Sequence, residues 1–198
     1  MRLDHVAVAA ASLAEGMAWV EAALGVTLAP GGQHGVMGTH NRLLSLGPGE
    51  YLEVIAIDPA APPPGRARWF GLDGFSGAPR LAGWVAACDD LDARLAASGA
   101  GRAVEVSRGD LCWRIGVSDS GVMPFDGCHP ALIDWLGGPH PAARLPDAGC
   151  RLAALEVSHP RADDLALGLG LADPRIRVTP GPAGLRAAID TPNGLVWL

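Results

Sequence analysis

Residues 3–8 read LDHVAV, an apolar and partly β-branched run with a histidine inside it. Side chains alternate between the two faces of a strand, so His5 shares a face with Leu3 and Ala7. Contact with solvent alone does not account for a histidine on such a face. We therefore expect His5 either to be a hydrogen-bonded core residue or to face a cavity.

The chain repeats one order of predicted elements, in which a strand and a helix are followed by three more strands. In the first copy, Ser12 and Glu15 form a capping box at the start of the helix, and Gly25 is a typical helix stop. Repetition at this period, with helices between the strands, predicts duplicated α+β modules. The predicted segments are a first module at 1–58, a proline- and glycine-rich linker at 59–78, a second module at 79–138 and a shorter third module at 150–198.

Composition excludes several classes of protein. The 198 residues carry a net charge of -6 and no basic cluster, which argues against nucleic-acid binding. All of the basic residues are arginine, so Schiff-base chemistry and a P-loop lysine are excluded. No apolar run has the length of a membrane span, the first residues do not resemble a signal peptide, and the four cysteines form no CxxC pair. We expect a cytoplasmic protein with reduced thiols.

Glu53 is a carboxylate in the apolar strand YLEVIAI, where it shares a face with one aromatic and two aliphatic side chains. A buried carboxylate needs a partner, because its ionised form loses hydration. The partner is either a metal cation or an arginine. In the second case His5 is an ordinary hydrogen-bonded core histidine.

The opening LDHVAV, the glycine-rich QHGVMGTHNRLL and the strand YLEVI resemble the glyoxalase-like branch of the vicinal oxygen chelate superfamily. The later segment ALIDWLGGPHP resembles the closing strand of the second module in that branch. The resemblance covers nearly the whole chain. It implies an α+β fold in which two βαβββ modules form a cup-shaped half-barrel around a divalent metal, with ligands from the first and last strands of each module.

Aligning the two modules places Trp84 opposite His5, 79 positions on, and Asp134 opposite Glu53, 81 positions on. Tryptophan cannot ligate a metal, so the resemblance leaves His5, Glu53 and Asp134 as the implied ligands. A ligand set of one imidazole and two carboxylates suits zinc, manganese, iron(II) or nickel. Glu53 and Asp134 are then the candidate catalytic residues, each as a ligand or as a base once displaced from the metal.

The candidate substrate-binding residues are His34, Asn41, Arg42, Trp84 and Arg114. The glycine-rich stretch around His34 permits close approach to a ligand. His34 or His40 could also replace the missing metal ligand, or His34 could be a surface-loop residue. The two arginines hold matching places in their modules and suit carboxylate recognition, although such arginines often face solvent. Trp113 and Trp135, like Trp84, are expected in the core or in the wall of the cup.

Three hypotheses for function remain open at this point. The first is a metal-dependent lyase, isomerase or ring-cleaving dioxygenase that acts on a small oxygenated metabolite. The second is a metal-free protein that binds or sequesters a small molecule in the same cup, which the tryptophan at position 84 favours because aromatic rings stack on ligands. The third is a structural relative without a ligand. We expect a homodimer with no nucleic-acid or membrane partner, and a third module that extends the sheet or joins the dimer contact.

Overall fold

The structure is a computed structural model that describes residues 1–170 and 172–198. The first unit contains β1 (Arg2–Ala9), α1 (Leu13–Leu24), β2 (Ala29–His34), β3 (Thr39–Ser45) and β4 (Tyr51–Ile57). The second contains β5 (Arg80–Ala87), α2 (Leu91–Ser98), β6 (Arg102–Arg108), β7 (Leu111–Val117) and β8 (Ala131–Asp134). The last contains β9 (Arg151–Ser158), α3 (Ala162–Leu169), β10 (Ile176–Thr179), β11 (Gly184–Thr191) and β12 (Gly194–Trp197).

Local capping signals set the ends of the first two helices. The Ser12 side chain accepts a hydrogen bond from the Glu15 backbone N–H at 3.2 Å, and Asp90 caps α2 in the same way through Ala93. Both helices end at a glycine in the left-handed region, Gly25 in α1 and Gly99 in α2, where a residue with a Cβ would be strained.

One curved sheet contains all eight strands of the first two units, in the order β2-β3-β4-β1-β5-β8-β7-β6. In each unit the first strand lies parallel to the last, and β1 joins β5 in an antiparallel pair at the centre. The sheet curls into a half-barrel, so the predicted cup-shaped α+β fold is confirmed. The helices α1 and α2 contact the outer face, and the inner face encloses a cavity.

The two edge strands of this sheet approach each other across the mouth of the cup. The Arg108 stem, at the end of β6, lies over Gly32 in β2, where an added Cβ would be 2.5 Å from Arg108 Cδ. Glycine at position 32 therefore allows an arginine from the second unit to reach the inner face of the first.

The last unit forms a sheet of its own, in the order β10-β9-β11-β12. Of the two expectations for this unit, the extension of the main sheet is therefore wrong, and a role in a dimer contact stays a prediction. Its first strand lies parallel to β10 and antiparallel to β11, whereas β1 and β5 each lie parallel to the last strand of their unit. The helix α3 provides the crossover that parallel neighbours such as β9 and β10 require. The β11 strand of this smaller sheet packs against β5.

The segment between the two barrel units is more than a spacer. Residues Trp69–Gly74 form two short 3₁₀ turns with a kink at Phe70 and Gly71, both at positive φ. Trp69 is buried and lines the cup, so this segment supplies part of its wall. Across residues 1–170 and 172–198, no helix combines the length and apolar character that crossing a membrane would need.

Candidate functional site

The interior of the half-barrel contains a small cavity with a volume of about 20 Å³, close to that of one water molecule. Its wall combines a group of polar side chains with aromatic rings and two isoleucines. The lining residues are His5, His34, Asn41, Tyr51, Glu53, Trp69, Phe70, Arg108, Trp113, Ile115, Ile133 and Trp135.

A β-bulge in β1 brings two neighbouring polar side chains together. Leu3 pairs with Ala86 and His5 with Val85, so Asp4 is an extra residue that opposes nothing on β5. A bulge bends the strand and changes the direction of its side chains. Asp4 Oδ1 lies 2.7 Å from His5 Nδ1, although regular alternation would put the two side chains on opposite faces.

The Asp4 carboxylate is fully buried and holds three donors. Besides His5, it accepts from the Trp135 indole at 2.8 Å and from His140 Nε2 at 3.1 Å. Burial by itself would raise the pKa of Asp4, but hydrogen bonds from His140 and His5 outweigh it and hold the pKa well below its usual range. Because an ionised carboxylate only accepts, the Nδ1 atom of His5 carries a proton.

His5 therefore directs its Nε2 atom at Glu53. The distance from Nε2 to Glu53 Oε2 is 3.7 Å, and the imidazole is stacked on the Tyr51 ring with 4.3 Å between centroids. Glu53 Oε1 accepts from the Asn41 side chain at 2.5 Å. Asn41 is in turn fixed, because its Oδ1 accepts from the Gly32 backbone N–H at 2.8 Å. The site thus holds two groups that can give or take a proton, each fixed by a partner of its own.

His34 is a neutral imidazole beside a cation. Burial, and then the Arg108 guanidinium, lower its pKa from 6.5 to about 3. Its Nε2 lies 3.4 Å from Arg108 Nη1, which can only donate, so Nε2 accepts. Its Nδ1 therefore bears the proton and donates to Thr39 Oγ1 at 3.0 Å.

The structure brings four of the predicted site residues to this cavity: His5, His34, Asn41 and Glu53. It places Arg42, Trp84, Arg114 and Asp134 elsewhere. Arg42 pairs in register with Val54, which packs toward α1, so its side chain lies on the outer face. The Trp84 indole is fully buried and donates to the Cys128 carbonyl at 2.9 Å.

The pair Arg114 and Asp134 also lies on the outer face of the sheet. The two residues are partners in the β7–β8 register, next to the cavity-lining pair Ile115 and Ile133. Arg114 forms an ion pair with Asp92 of α2 at 2.7 Å, and the Asp134 carboxylate accepts from the Leu136 backbone N–H. The expectation that Asp134 lies beside His5 and Glu53 is therefore corrected.

The register of the two units explains this correction. His5 pairs with Tyr51 in the first unit as Val85 pairs with Ala131 in the second, and Glu53 corresponds in the same way to Ile133. The offset between units is a constant 80 positions (85 − 5 and 133 − 53). Offsets of 79 and 81 are each one residue away, and a shift of one residue moves a strand side chain to the opposite face.

A divalent metal does not fit the donors of this cup. At the positions that correspond to His5 and Glu53, the second unit has Val85 and Ile133, which cannot ligate a metal. His34 does not replace them, because the Arg108 guanidinium beside its Nε2 opposes a second cation. A metal site of this kind needs at least three protein ligands. Within the described parts of the chain, no group of three His, Cys, Asp or Glu side chains is placed to hold a metal ion.

The sequence analysis missed several residues of the site. Asp4 adjoins His5 in the chain, but strand alternation argued against their meeting. Arg108 and His140 reach the site from segments far away in the sequence, and no local pattern indicates this. Trp69 ends the proline-rich stretch APPPGRARW, which is typical of a linker. Its indole N–H is buried and has no hydrogen-bond partner within residues 1–170 and 172–198.

One of the similar solved structures supports the fold. A hypothetical protein from Staphylococcus aureus superposes with a TM-score of 0.57 at 13% identity, over 99% of this chain and 83% of that one. Methylmalonyl-CoA epimerase from Streptomyces coelicolor gives 0.46 at 16% identity, over 71% of this chain and 99% of that one. The epimerase from Mycobacterium tuberculosis gives 0.42 at 22% identity, over 67% and 85%. The epimerase scores are too low to support an argument about activity.

No curated protein matches the sequence closely enough to count as a relative. The model of one protein family, described as a glyoxalase-like domain, matches residues 3–170. That match covers the whole half-barrel and continues through α3. The repeated βαβββ order and the curled eight-stranded sheet are the architecture that the resemblance of LDHVAV and YLEVI implied. The chain therefore belongs to the glyoxalase-like domain family.

Proposed function

We propose that this protein is a metal-independent enzyme that moves a proton on a small oxygenated metabolite held in the cup. The observation that carries the proposal is the pair His5 and Glu53, buried together with 3.7 Å between Nε2 and Oε2. Asp4 fixes the imidazole and Asn41 fixes the carboxylate, so both groups are oriented before a substrate arrives.

The chemistry that suits this pair is proton transfer at a carbon next to a carbonyl group. One of the two residues takes the proton as a general base, and the electron pair of the broken C–H bond moves into the carbonyl to give an enolate. The other residue returns a proton to the same carbon from the opposite face, so the carbonyl group re-forms and the configuration of that carbon is inverted. A positioned acid or base contributes about 10²–10⁴-fold to such a step.

Proton exchange into substrate in D₂O tests this proposal. Chelator-treated protein is incubated with lactate, pyruvate or 2-oxobutyrate, and loss of the C–H signal beside the carbonyl is followed by proton NMR. We expect catalysed exchange with at least one of these compounds, and a loss of about 100-fold or more in His5→Gln and in Glu53→Gln.

Asp134→Asn is the matched control, because it makes the same chemical change on the outer face of the sheet. Its exchange rate should equal that of the unmodified protein. An equal loss in Asp134→Asn, or exchange that requires added metal, would overturn the proposal.

A metal-free binding protein is the second candidate function. The observation that favours it is the aromatic wall of the cavity, where Trp113 and Trp135 lie 5.2 Å apart between ring centroids and Trp69 contacts His34. Saturable binding of a compound by the wild-type protein, without any exchange of its C–H protons, would select this function. The homodimer and the cytoplasmic location stay predictions.

A further inference from the structure

The wall of the cup contains two hydrogen-bond donors, and within the described residues neither of them donates to a carboxylate. The first is the Trp69 indole N–H, which is buried and has no hydrogen-bond partner among the residues that the structure describes. An unsatisfied buried donor of this kind destabilises the protein, because it has lost its hydrogen bond to water. A ligand that supplies an acceptor restores the missing hydrogen bond.

The second donor is Arg108, a half-buried guanidinium. Its hydrogen bonds are to Asn41 Oδ1 at 3.1 Å and to His34 Nε2 at 3.4 Å, and both partners are neutral. Within residues 1–170 and 172–198, no carboxylate oxygen lies within the 4.0 Å of an ion pair from Arg108. A cation drawn into a cavity without a counter-ion favours an anionic ligand.

Both side chains contact the ring of His34. Trp69 contacts the His34 ring edge-on with 5.1 Å between centroids, and Arg108 Nη1 approaches the Nε2 atom of the same ring. His34 does not compete for the anion, because its Nε2 accepts and its Nδ1 donates to Thr39. Its low pKa keeps the ring neutral, so the positive charge here belongs to Arg108.

The two carboxylates of the site are already engaged. Asp4 accepts from His5, Trp135 and His140, while Glu53 accepts from Asn41. Neither of them forms an ion pair with Arg108. The His34 side of the cavity therefore favours a ligand with a planar, negatively charged acceptor group.

We propose that Arg108 and the Trp69 indole form a subsite for a carboxylate, so that the substrate is a small carboxylic acid. One carboxylate oxygen accepts from the guanidinium and the other from the indole. This inference rests on the proposed function for the reaction itself, but the binding subsite stands on the two donors alone.

Phe70 marks the direction from which the rest of the substrate enters. Its ring lines both the small cavity and an outer groove of about 700 Å³ that lies toward β11 and β12. The Phe70 backbone has a φ of 55°, a strained conformation for a bulky residue, and its ring occupies space that Gly83 leaves free. A ligand larger than one water molecule displaces this ring and extends into the groove.

Indole NMR signals test the subsite directly. Protein labelled with ¹⁵N at its six tryptophans is titrated with sodium acetate and, separately, with acetamide, which has the same shape without the charge. Trp69→Phe assigns the Trp69 signal. We expect acetate to shift this signal saturably and acetamide to leave it in place at equal concentration.

Arg108→Gln should weaken acetate binding at least tenfold, whereas Arg114→Gln, the same change on the outer face, should leave it unaltered. An equal response to acetate and acetamide, or unaltered affinity in Arg108→Gln, would overturn the subsite. The His5→Gln variant separates the two proposals. We expect His5→Gln to retain acetate binding and to lose exchange of the substrate C–H proton. If the wild-type protein prefers acetate to acetamide but catalyses no exchange, the proposed reaction is rejected and the carboxylate subsite is retained.

Discussion

His34 is buried in its neutral form, and this makes the free energy of unfolding depend on pH. The pKa of His34 is about 3 in the folded protein and 6.5 when the chain is unfolded. Below pH 6.5 the unfolded chain binds a proton that the folded protein does not accept, so the free energy of unfolding falls with falling pH. The contribution is fully present above pH 6.5 and is lost progressively toward pH 3.

The size of the effect follows from the two pKa values. Each pH unit below the unfolded pKa costs about 1.4 kcal/mol, so the loss between pH 7 and pH 5 is about 2 kcal/mol from this one residue. His34→Gln keeps a polar side chain at the position but removes the titration. We expect its free energy of unfolding to fall by about 2 kcal/mol less than that of the wild-type protein over this range.

Urea unfolding at pH 7, 6 and 5, followed by circular dichroism, measures the difference. The comparison uses the slope with pH, so a constant stability cost of the substitution cancels. His129, whose pKa burial also lowers, contributes equally to both proteins and cancels too. Identical slopes in the two proteins would refute the reasoning, because His34 would then titrate in the folded state as it does in the unfolded chain.

Two further substitutions test the packing around the site. Asp4→Asn replaces a buried carboxylate that accepts from three donors, so we expect the free energy of unfolding to fall by about 2–4 kcal/mol. Urea unfolding at pH 7 measures this loss. A loss no larger than that of Asp134→Asn would show that the hydrogen-bond network of Asp4 contributes little to stability. Gly83→Ala places a Cβ about 2.4 Å from Phe70 Cδ1 and should push this ring out of its slot, which speeds exchange of the Trp69 indole proton with D₂O. Gly74→Ala is the control, because no atom of the described residues lies within 4 Å of its added Cβ. Equal exchange rates in the two variants would contradict a blocking role for the ring.

The sequence by itself determined the order of elements and the fold class. Capping residues such as Ser12 and Gly25 act within a few positions of the chain, and the alternation in YLEVIAI placed Glu53 on an inner face. His5 and Glu53 can also be identified as site candidates from the sequence alone. Each lies in a strand whose apolar neighbours make a polar side chain conspicuous.

Only the tertiary structure decided what surrounds these two residues. The bulge at Asp4 and the constant offset of 80 positions between units depend on strand pairing, and an error of one residue in register reverses the face of every side chain on a strand. Arg108 reaches the cup because the two edges of the curled sheet meet. It donates there to Asn41, which is 67 positions away in the sequence. No local pattern encodes such a meeting, since it results from the curvature of the whole sheet.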